Sequence, residues 1–490
     1  MTSAGARPSS ESRATYSNFI DGQWVPGSSV RPNINPSDTS DVIGEFSVGS
    51  RSDAEAAIAA AKAAAPAWAA TSPYRRFEIL DRIGSEIIAR QEEIGRLLAR
   101  EEGKTLAEAI NEVSRAGALF KVFASEPLHA SGERLTSTRA GTEIEICREP
   151  LGVVGLITPW NFPASIPAWK TAPALAFGNC VILKPADLVP ATAWAFAEII
   201  ARSGLPNGVF NLVMGPGSDV GEAIVASPDV AAVSFTGSQP VGRRIAEVCL
   251  ARGARFQLEM GGKNPLIVLD DADVETAVNA AVQGAYFSTG QRCTASSRLI
   301  ATKGIHDRFV DALTAKLKAL RVGDALEPST DIGPVVSQEQ LDIDLSYLEI
   351  GRQEGATLVT GGDRLSLPKA GYYLSPALFV DTSNTMRINR EEIFGPIASV
   401  IRADDYEQAL HVANDTEFGL SAGIITQDPK VWRHFKRHAQ AGMVVINGST
   451  AGMDFHAPFT GRKGSSFGPP ERGHFAREFY TTAKVVYGNL

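Results

Sequence analysis

Cys180-Val-Ile-Leu-Lys184-Pro-Ala-Asp187, continuing as Leu-Val-Pro-Ala191-Thr-Ala-Trp-Ala-Phe-Ala-Glu-Ile-Ile-Ala-Arg-Ser203, decides the fold. Cys180 to Leu183 is short, apolar and partly β-branched, so it reads as a buried strand. Ala191 to Ser203 reads as a helix ended by Gly204 and Pro206. Val230 to Phe235 downstream and Gly152 to Ile157 upstream read as further buried strands. Strand, helix, strand in this order implies a crossover between parallel neighbours. The expected fold class is α/β.

Working outward, Asp53 to Ala65 reads as a helix with Ser52 as N-cap. One long helix is expected over Tyr74 to Arg100, where Ile79, Leu80, Ile83, Ile87, Ile94, Leu97 and Leu98 recur at helical spacing. Another is expected over Leu106 to Ala124. After Gly262 the pattern restarts, with strands at Leu266 to Leu269 and Ser297 to Ala301 and helices at Val274 to Ala285 and His306 to Leu320. Ile397 to Arg402, Tyr406 to Ala413, Ala422 to Thr426 and Met443 to Asn447 extend this second α/β unit. Arg134 to Arg148 and Thr482 to Tyr487 fit neither unit. As exposed strands they are expected to pair with each other or with another subunit.

The 490 residues suggest roughly three units of about 150. With 47 basic and 55 acidic residues, a net charge of −8 and no basic block, nucleic acid is not an expected partner. No apolar run approaches the ~18 residues of a membrane span, so no membrane association is expected. Met1 to Ser17 lacks the apolar core of a secretory signal and is expected to be a short disordered tail. Four cysteines are too sparse for a disulfide framework, which favours a reducing, cytoplasmic setting.

Three strand ends carry candidate binding loops, where open parallel sheets hold nucleotides. Gly215-Pro-Gly217-Ser-Asp-Val-Gly221 is one residue too long before its third glycine for the dinucleotide fingerprint. Phe235-Thr236-Gly237-Ser238 opens a helix with Ser238 as N-cap, where free N–H groups suit a phosphate. Lys184-Pro-Ala186-Asp187 offers a cation and an acid to a ribose. Each alone is as well explained by a capped helix or a turn. Cys293, in Ser288-Thr-Gly-Gln-Arg-Cys293-Thr-Ala, has polar neighbours unlike those of a core thiol, and Arg292 beside it is expected to favour the thiolate. Cys147, Cys180 and Cys249 read as packing residues. Glu259 is an acid in an apolar strand, suited by burial to proton transfer unless it forms an ion pair with Lys263. No cluster has metal-ligand spacing.

Together these residues strongly resemble the aldehyde dehydrogenase superfamily over nearly the whole chain. Glu259-Met-Gly261-Gly-Lys263 resembles its glutamate signature and Gly290-Gln-Arg-Cys293 its cysteine signature. Thr158-Pro159-Trp160-Asn161-Phe162-Pro163 resembles the loop of its oxyanion asparagine. Lys184, the Gly237–Ser238 loop and Glu392-Ile-Phe394-Gly-Pro396 resemble its NAD(P) contacts. The resemblance implies a Rossmann-like cofactor domain over 1–127 and 149–261, an α/β catalytic domain over 262–465, and a small β oligomerisation element over 128–148 and 466–490. It implies Cys293 as nucleophile, Asn161 as oxyanion donor and Glu259 as base for water. NAD or NADP would lie against Ile157 to Trp160, Lys184, Ala186, Asp187, Gly217, Gly221, Phe235 to Ser238, Gly261, Glu392 and Phe394. A homodimer or homotetramer is implied.

Tyr286 to Arg298, Gly304 to Phe309 and Pro458 to Ser466 resemble the α-ketoglutaric semialdehyde (2,5-dioxopentanoate) dehydrogenases most. Succinic semialdehyde enzymes typically carry arginine where Trp169 precedes Lys170 here. Phe162, Trp169 and Phe459 are expected to line the substrate tunnel, and Phe287 either to line it or to pack in the core. Arg292 and Arg462 are expected to meet an anionic substrate. Aspartate at 187, where many NAD-preferring members have glutamate, implies use of both NAD and NADP. A cysteine hydrolase would need a histidine partner in a motif with Cys293, and none is present. A non-catalytic scaffold would be expected to lose Cys293, Glu259 or Asn161.

Overall fold

The computed structural model describes residues 14–129 and 132–489. Of the tail expected over Met1 to Ser17, residues 1–13 lie outside that description, and Thr15–Tyr16 already pairs as a strand with Glu45 and Phe46. The α/β expectation holds. The strands and helices read between residues 152 and 447 appear to within two residues at either end.

Two large sheets organise the chain. In the first, Arg255–Glu259, Ala232–Thr236, Val153–Ile157, Cys180–Lys184 and Phe210–Leu212 lie side by side and parallel. Antiparallel Asn18–Ile20 and Gln23–Val25 extend one edge. At the other edge Ser466–Phe467 pairs with Arg255–Glu259, so the segment 466–490 begins in this sheet. The chain runs outward from Val153–Ile157 through two strands and then returns to Ala232–Thr236 on its other side. The strand order reverses between those two neighbours, and the strand C-termini at such a reversal are where open α/β sheets hold nucleotides. Helices cover both faces, so the strands are buried throughout and lack polar alternation.

The second sheet runs Thr357–Thr360, Ala377–Thr382, Ile397–Ala403, Arg298–Thr302, Pro265–Val268, Ser421–Ile425, Met443–Ile446, parallel except for the first pair. A small sheet pairs Thr481–Asn489 with Thr142–Pro150, and Thr142–Pro150 with Glu133–Thr136. The two segments that fitted neither unit therefore pair with each other.

Local chemistry corrects two boundaries. Ser50, not Ser52, caps the helix Arg51–Ala69, because a capping box needs the acid three residues on, and that acid is Asp53. The long helix expected from Tyr74 to Arg100 is two helices, Pro73–Ala89 and Gln91–Glu102, parted at Arg90. Ile83, Ile87, Ile94 and Leu98 are buried on both sides of the break, so the apolar spacing carries no sign of it.

Candidate active site

Between the helix Val274–Ala285 and Cys293 the chain turns through three left-handed residues, Ser288, Thr289 and Gly290. This conformation is costly for serine and threonine and must be held from outside. Glu108 accepts from the Ser288 N–H (3.0 Å) and hydroxyl (2.9 Å), and the Thr289 hydroxyl donates to the Gly333 carbonyl (3.1 Å). A side chain at Gly290 would come 2.2 Å from the Gly395 carbonyl oxygen, so only glycine fits. The Cys293 carbonyl accepts from Asn264 Nδ2 at 2.7 Å, which ties the thiol loop to the turn after Glu259.

Burial pushes the Cys293 thiol up to about 12, with Glu392 and then Glu259 adding to the shift. The thiolate-favouring role expected of Arg292 is not realised. Arg292 is paired with Glu108 (2.8 Å), and burial first, then Glu392 and Glu259, governs the thiol. Glu259 ends its strand, is 3% exposed, and accepts from the Ser466 hydroxyl at 2.5 Å. Burial first, then the charge of Glu471, holds its carboxyl well above the usual range. An ion pair with Lys263 is not formed: the Lys263 amine is buried without a partner, and burial pulls it down to about 7.

Asn161 is 3% exposed and donates from Nδ2 to the Gln291 carbonyl at 2.9 Å, two residues before the thiol. Its loop is fastened by two residues that nothing in the sequence singled out. Buried Lys104 donates to Glu112 (2.5 Å) and to the Asn161 carbonyl (2.8 Å). Glu112 in turn accepts from the N–H groups of Ala164 (2.9 Å) and Ser165 (3.0 Å).

A cavity opens from Cys293, walled by Phe162, Trp169 and Phe459, with Arg292, Lys104 and Arg115 also on its lining. Phe287 packs instead into the core of the second sheet. Arg462 is corrected: it is exposed, its N–H donates to the Gly419 carbonyl (2.9 Å), and it does not line the cavity. The basic side chain supplied from that part of the chain is Arg472, ten residues on, 3% exposed and facing the cavity.

The cofactor candidates gather at strand C-termini beside the reversal of strand order. Ile157 to Trp160 end and follow one strand, and Phe235 to Ser238 end and follow its neighbour. Lys184 ends the next, donating to Asp187 (3.1 Å) and the Pro185 carbonyl (2.9 Å), with Ala186 between them. Asp187 also meets Arg31 at 3.2 Å, a contact from an N-terminal strand invisible in the sequence. Gly217–Gly221 forms one π turn, whose wider ring takes up the extra residue noted there. Ser238 sits at the N-cap, but its side chain makes no capping bond. Glu392, beside Gly261, accepts from the Gly262 N–H (2.7 Å), and burial raises it to about 7. Phe394 meets Trp160 edge-on at 5.3 Å.

The sequence pattern of the aldehyde dehydrogenase family covers residues 24–486. A Bacillus subtilis protein named alpha-ketoglutaric semialdehyde dehydrogenase is 44% identical, covering 96% of this chain and 98% of its own length. A Saccharolobus solfataricus protein named 2,5-dioxopentanoate dehydrogenase is 41% identical, covering 96% and 99%. The crystal structure of betaine aldehyde dehydrogenase from Staphylococcus aureus in complex with NAD+ superposes with a TM-score of 0.95 at 34% identity, covering 98% of this chain and 95% of that one. With a thiol and an amide from two loops and a raised carboxyl from a strand end brought together, this chain belongs to the aldehyde dehydrogenase family.

Proposed function

We propose that the protein oxidises α-ketoglutaric semialdehyde (2,5-dioxopentanoate) to 2-oxoglutarate with NAD or NADP. The observation that carries this is the cavity over Cys293, whose walls are aromatic and whose basic side chains suit a short aldehyde with an anionic far end. The names of the relatives at 44% and 41% identity support the same substrate.

The residues fit a dinucleotide. The Thr158 hydroxyl, just past one strand of the reversal, and the Thr236 hydroxyl, at the end of the neighbouring strand, are buried without partners. A side chain at Gly217 would meet nothing within 4 Å, and one at Gly221 would come 3.9 Å from Lys184 Cδ, so space for a phosphate lies beside these glycines. Arg31 beside Asp187 supplies a positive charge for a 2′-phosphate, which supports use of both cofactors.

In this reading Cys293, having lost its proton, attacks the aldehyde carbon to give a thiohemiacetal. Asn161 Nδ2 donates one hydrogen to Gln291 and keeps a second for the oxyanion, beside the Cys293 N–H. NAD(P), when bound, supplies the hydride acceptor that turns the thiohemiacetal into a thioester. Glu259 takes a proton from water as that water attacks the thioester, releasing the acid and regenerating Cys293. Residues 1–127 with 149–261 hold the cofactor, and 262–465 carry the thiol.

The small sheet formed from the segments 128–148 and 466–490 serves assembly into a homodimer or homotetramer, while Ser466 and Arg472 of the second segment face the site. The edge strand Thr481–Asn489 leaves Val485, Val486 and Tyr487 exposed, which supports burial against another copy. Light scattering that returns a stable 52.1 kDa monomer at micromolar concentration removes this part. No helix among the described residues is long and apolar enough to cross a membrane. All four cysteines are free, which supports a cytoplasmic setting.

A panel of 2,5-dioxopentanoate, succinic semialdehyde, propanal and benzaldehyde with each cofactor, read at the NADH absorbance, tests the substrate. The highest kcat/KM is expected for 2,5-dioxopentanoate. A preference for benzaldehyde over every semialdehyde overturns the reading.

A further inference from the structure

The geometry points to Arg472 as the residue that receives the carboxylate at the far end of the aldehyde substrate, an inference that rests on the anionic substrate proposed above. Arg472 lines the cavity that holds Cys293 and is 3% exposed, and its Nε and Nη2 have no hydrogen-bond acceptor. A buried guanidinium with unmet donors is costly, and the cost falls when an anion enters.

The other cations of the cavity are already engaged. Lys104 is taken by Glu112 and the Asn161 carbonyl. Arg292 keeps a free Nε but directs its terminal nitrogens to Glu108, Ser288 and the Gln283 carbonyl. Arg115 donates to the Met453 carbonyl.

Arg472 is held without losing its donors. Its guanidinium carbon lies 4.9 Å from the ring centres of both Trp169 and Phe459. Those two rings stack on each other at 5.5 Å and offer no oxygen acceptor, so they hold the guanidinium while its free N–H groups stay available for a fork-shaped bond to a carboxylate. The backbone is positioned with equal care. Glu471 exchanges both backbone hydrogen bonds with Phe459 (2.7 and 2.9 Å), and its own carboxylate pairs with buried Lys170. The next residue, Arg472, has a φ of 62°, a strained value for a side chain of this size, and it turns the guanidinium to the cavity.

The test measures kcat/KM for 2,5-dioxopentanoate, 5-oxopentanoate and pentanal, which share a chain length, in wild type, Arg472→Met and Arg472→Lys. Arg472→Met is expected to lower the ratio of either anionic aldehyde to pentanal by roughly ten- to hundredfold, mainly through KM. Arg472→Lys should recover part of that ratio, since it restores charge without the fork. Protection of Cys293 from alkylation by 2-oxoglutarate, a readout free of turnover, should weaken in parallel. An equal loss on all three aldehydes, or an unchanged ratio, overturns the role of Arg472. If wild type favours 5-oxopentanoate over both others and Arg472→Met removes that preference, the substrate reading fails while Arg472 stands. If wild type favours neither anion over pentanal, both fall.

Discussion

Lys104 and Arg472 face the same cavity, and both are almost fully buried, yet their surroundings are opposite. Lys104 is held by a carboxylate and a backbone carbonyl and lies 4.0 Å over the Phe162 ring. Arg472 lies 4.9 Å from the centres of two rings, Trp169 and Phe459, that stack on each other, and it keeps open donors. A buried cation whose partners are all protein fixes a loop, here the one carrying Asn161. A buried cation with partners missing is arranged for something that arrives later. Charge and burial alone do not separate the two; the count of acceptors does.

The reacting end gives the largest expected effect. Cys293→Ala should abolish dehydrogenase and esterase activity alike, a loss of roughly four decades or more. Glu259→Gln should keep a burst of reduced cofactor on rapid mixing and then turn over slowly. If the burst is missing as well, Glu259 acts before hydride transfer and its role is wider than water activation.

Removing Lys104 probes the engaged cation. Lys104→Met strands Glu112 as a buried unpaired acid and should cost about 3–5 kcal/mol of stability. Denaturant titration checks this, and adding Glu112→Leu should recover much of the loss. A stability within error of wild type would mean that the pair does not fasten the loop.

Arg31 stands at the other extreme, an ion pair with its arginine 53% exposed. Arg31→Ala should lower kcat/KM for NADP relative to NAD by no more than about fivefold, because water screens such charges. An unaltered cofactor ratio takes Arg31 out of the 2′-phosphate site.

The smallest change expected is in a pH profile. Burial and Glu471 raise the Glu259 carboxyl, so its basic form appears only as pH climbs, and activity should rise with pH on that limb. The Ser466 hydroxyl bond works against that rise by favouring the charged form. Ser466→Ala should therefore move the ascending limb to higher pH, lowering activity near neutrality and restoring it in base. A limb that stays in place, or moves down, separates Ser466 from the titration of Glu259.

Much of the scaffold was legible because buried strands and amphipathic helices write their periods into the chain. Val274–Ala285 was read to the residue, and the strands Val153–Ile157 and Cys180–Lys184 nearly so. The break at Arg90 left no mark, since the apolar stripe continues through it. The resemblance singled out Cys293, Glu259 and Asn161, and the fold gathers all three from segments far apart in the chain. Lys104 and Glu112 form a buried ion pair that no periodicity flags, since an apolar period does not distinguish a buried polar residue from one on the surface.

By itself the sequence determined the α/β alternation, because hydrophobic period is a local property that survives without a partner. It also determined which thiol and which acid stood apart from their neighbours. Only the tertiary structure decided the electrostatics of the site. Arg292 adjoins Cys293 in the chain, but its charge is engaged by Glu108, while Glu392 and Glu259 act on the thiol from remote segments. Only the tertiary structure decided which arginine faces the cavity. Arg462 and Arg472 lie in irregular backbone, where side-chain direction follows no period, and the left-handed turn at Arg472 sends its guanidinium inward. A field depends on distance through space, and direction in a loop depends on individual dihedral angles; neither quantity is carried by order along the chain.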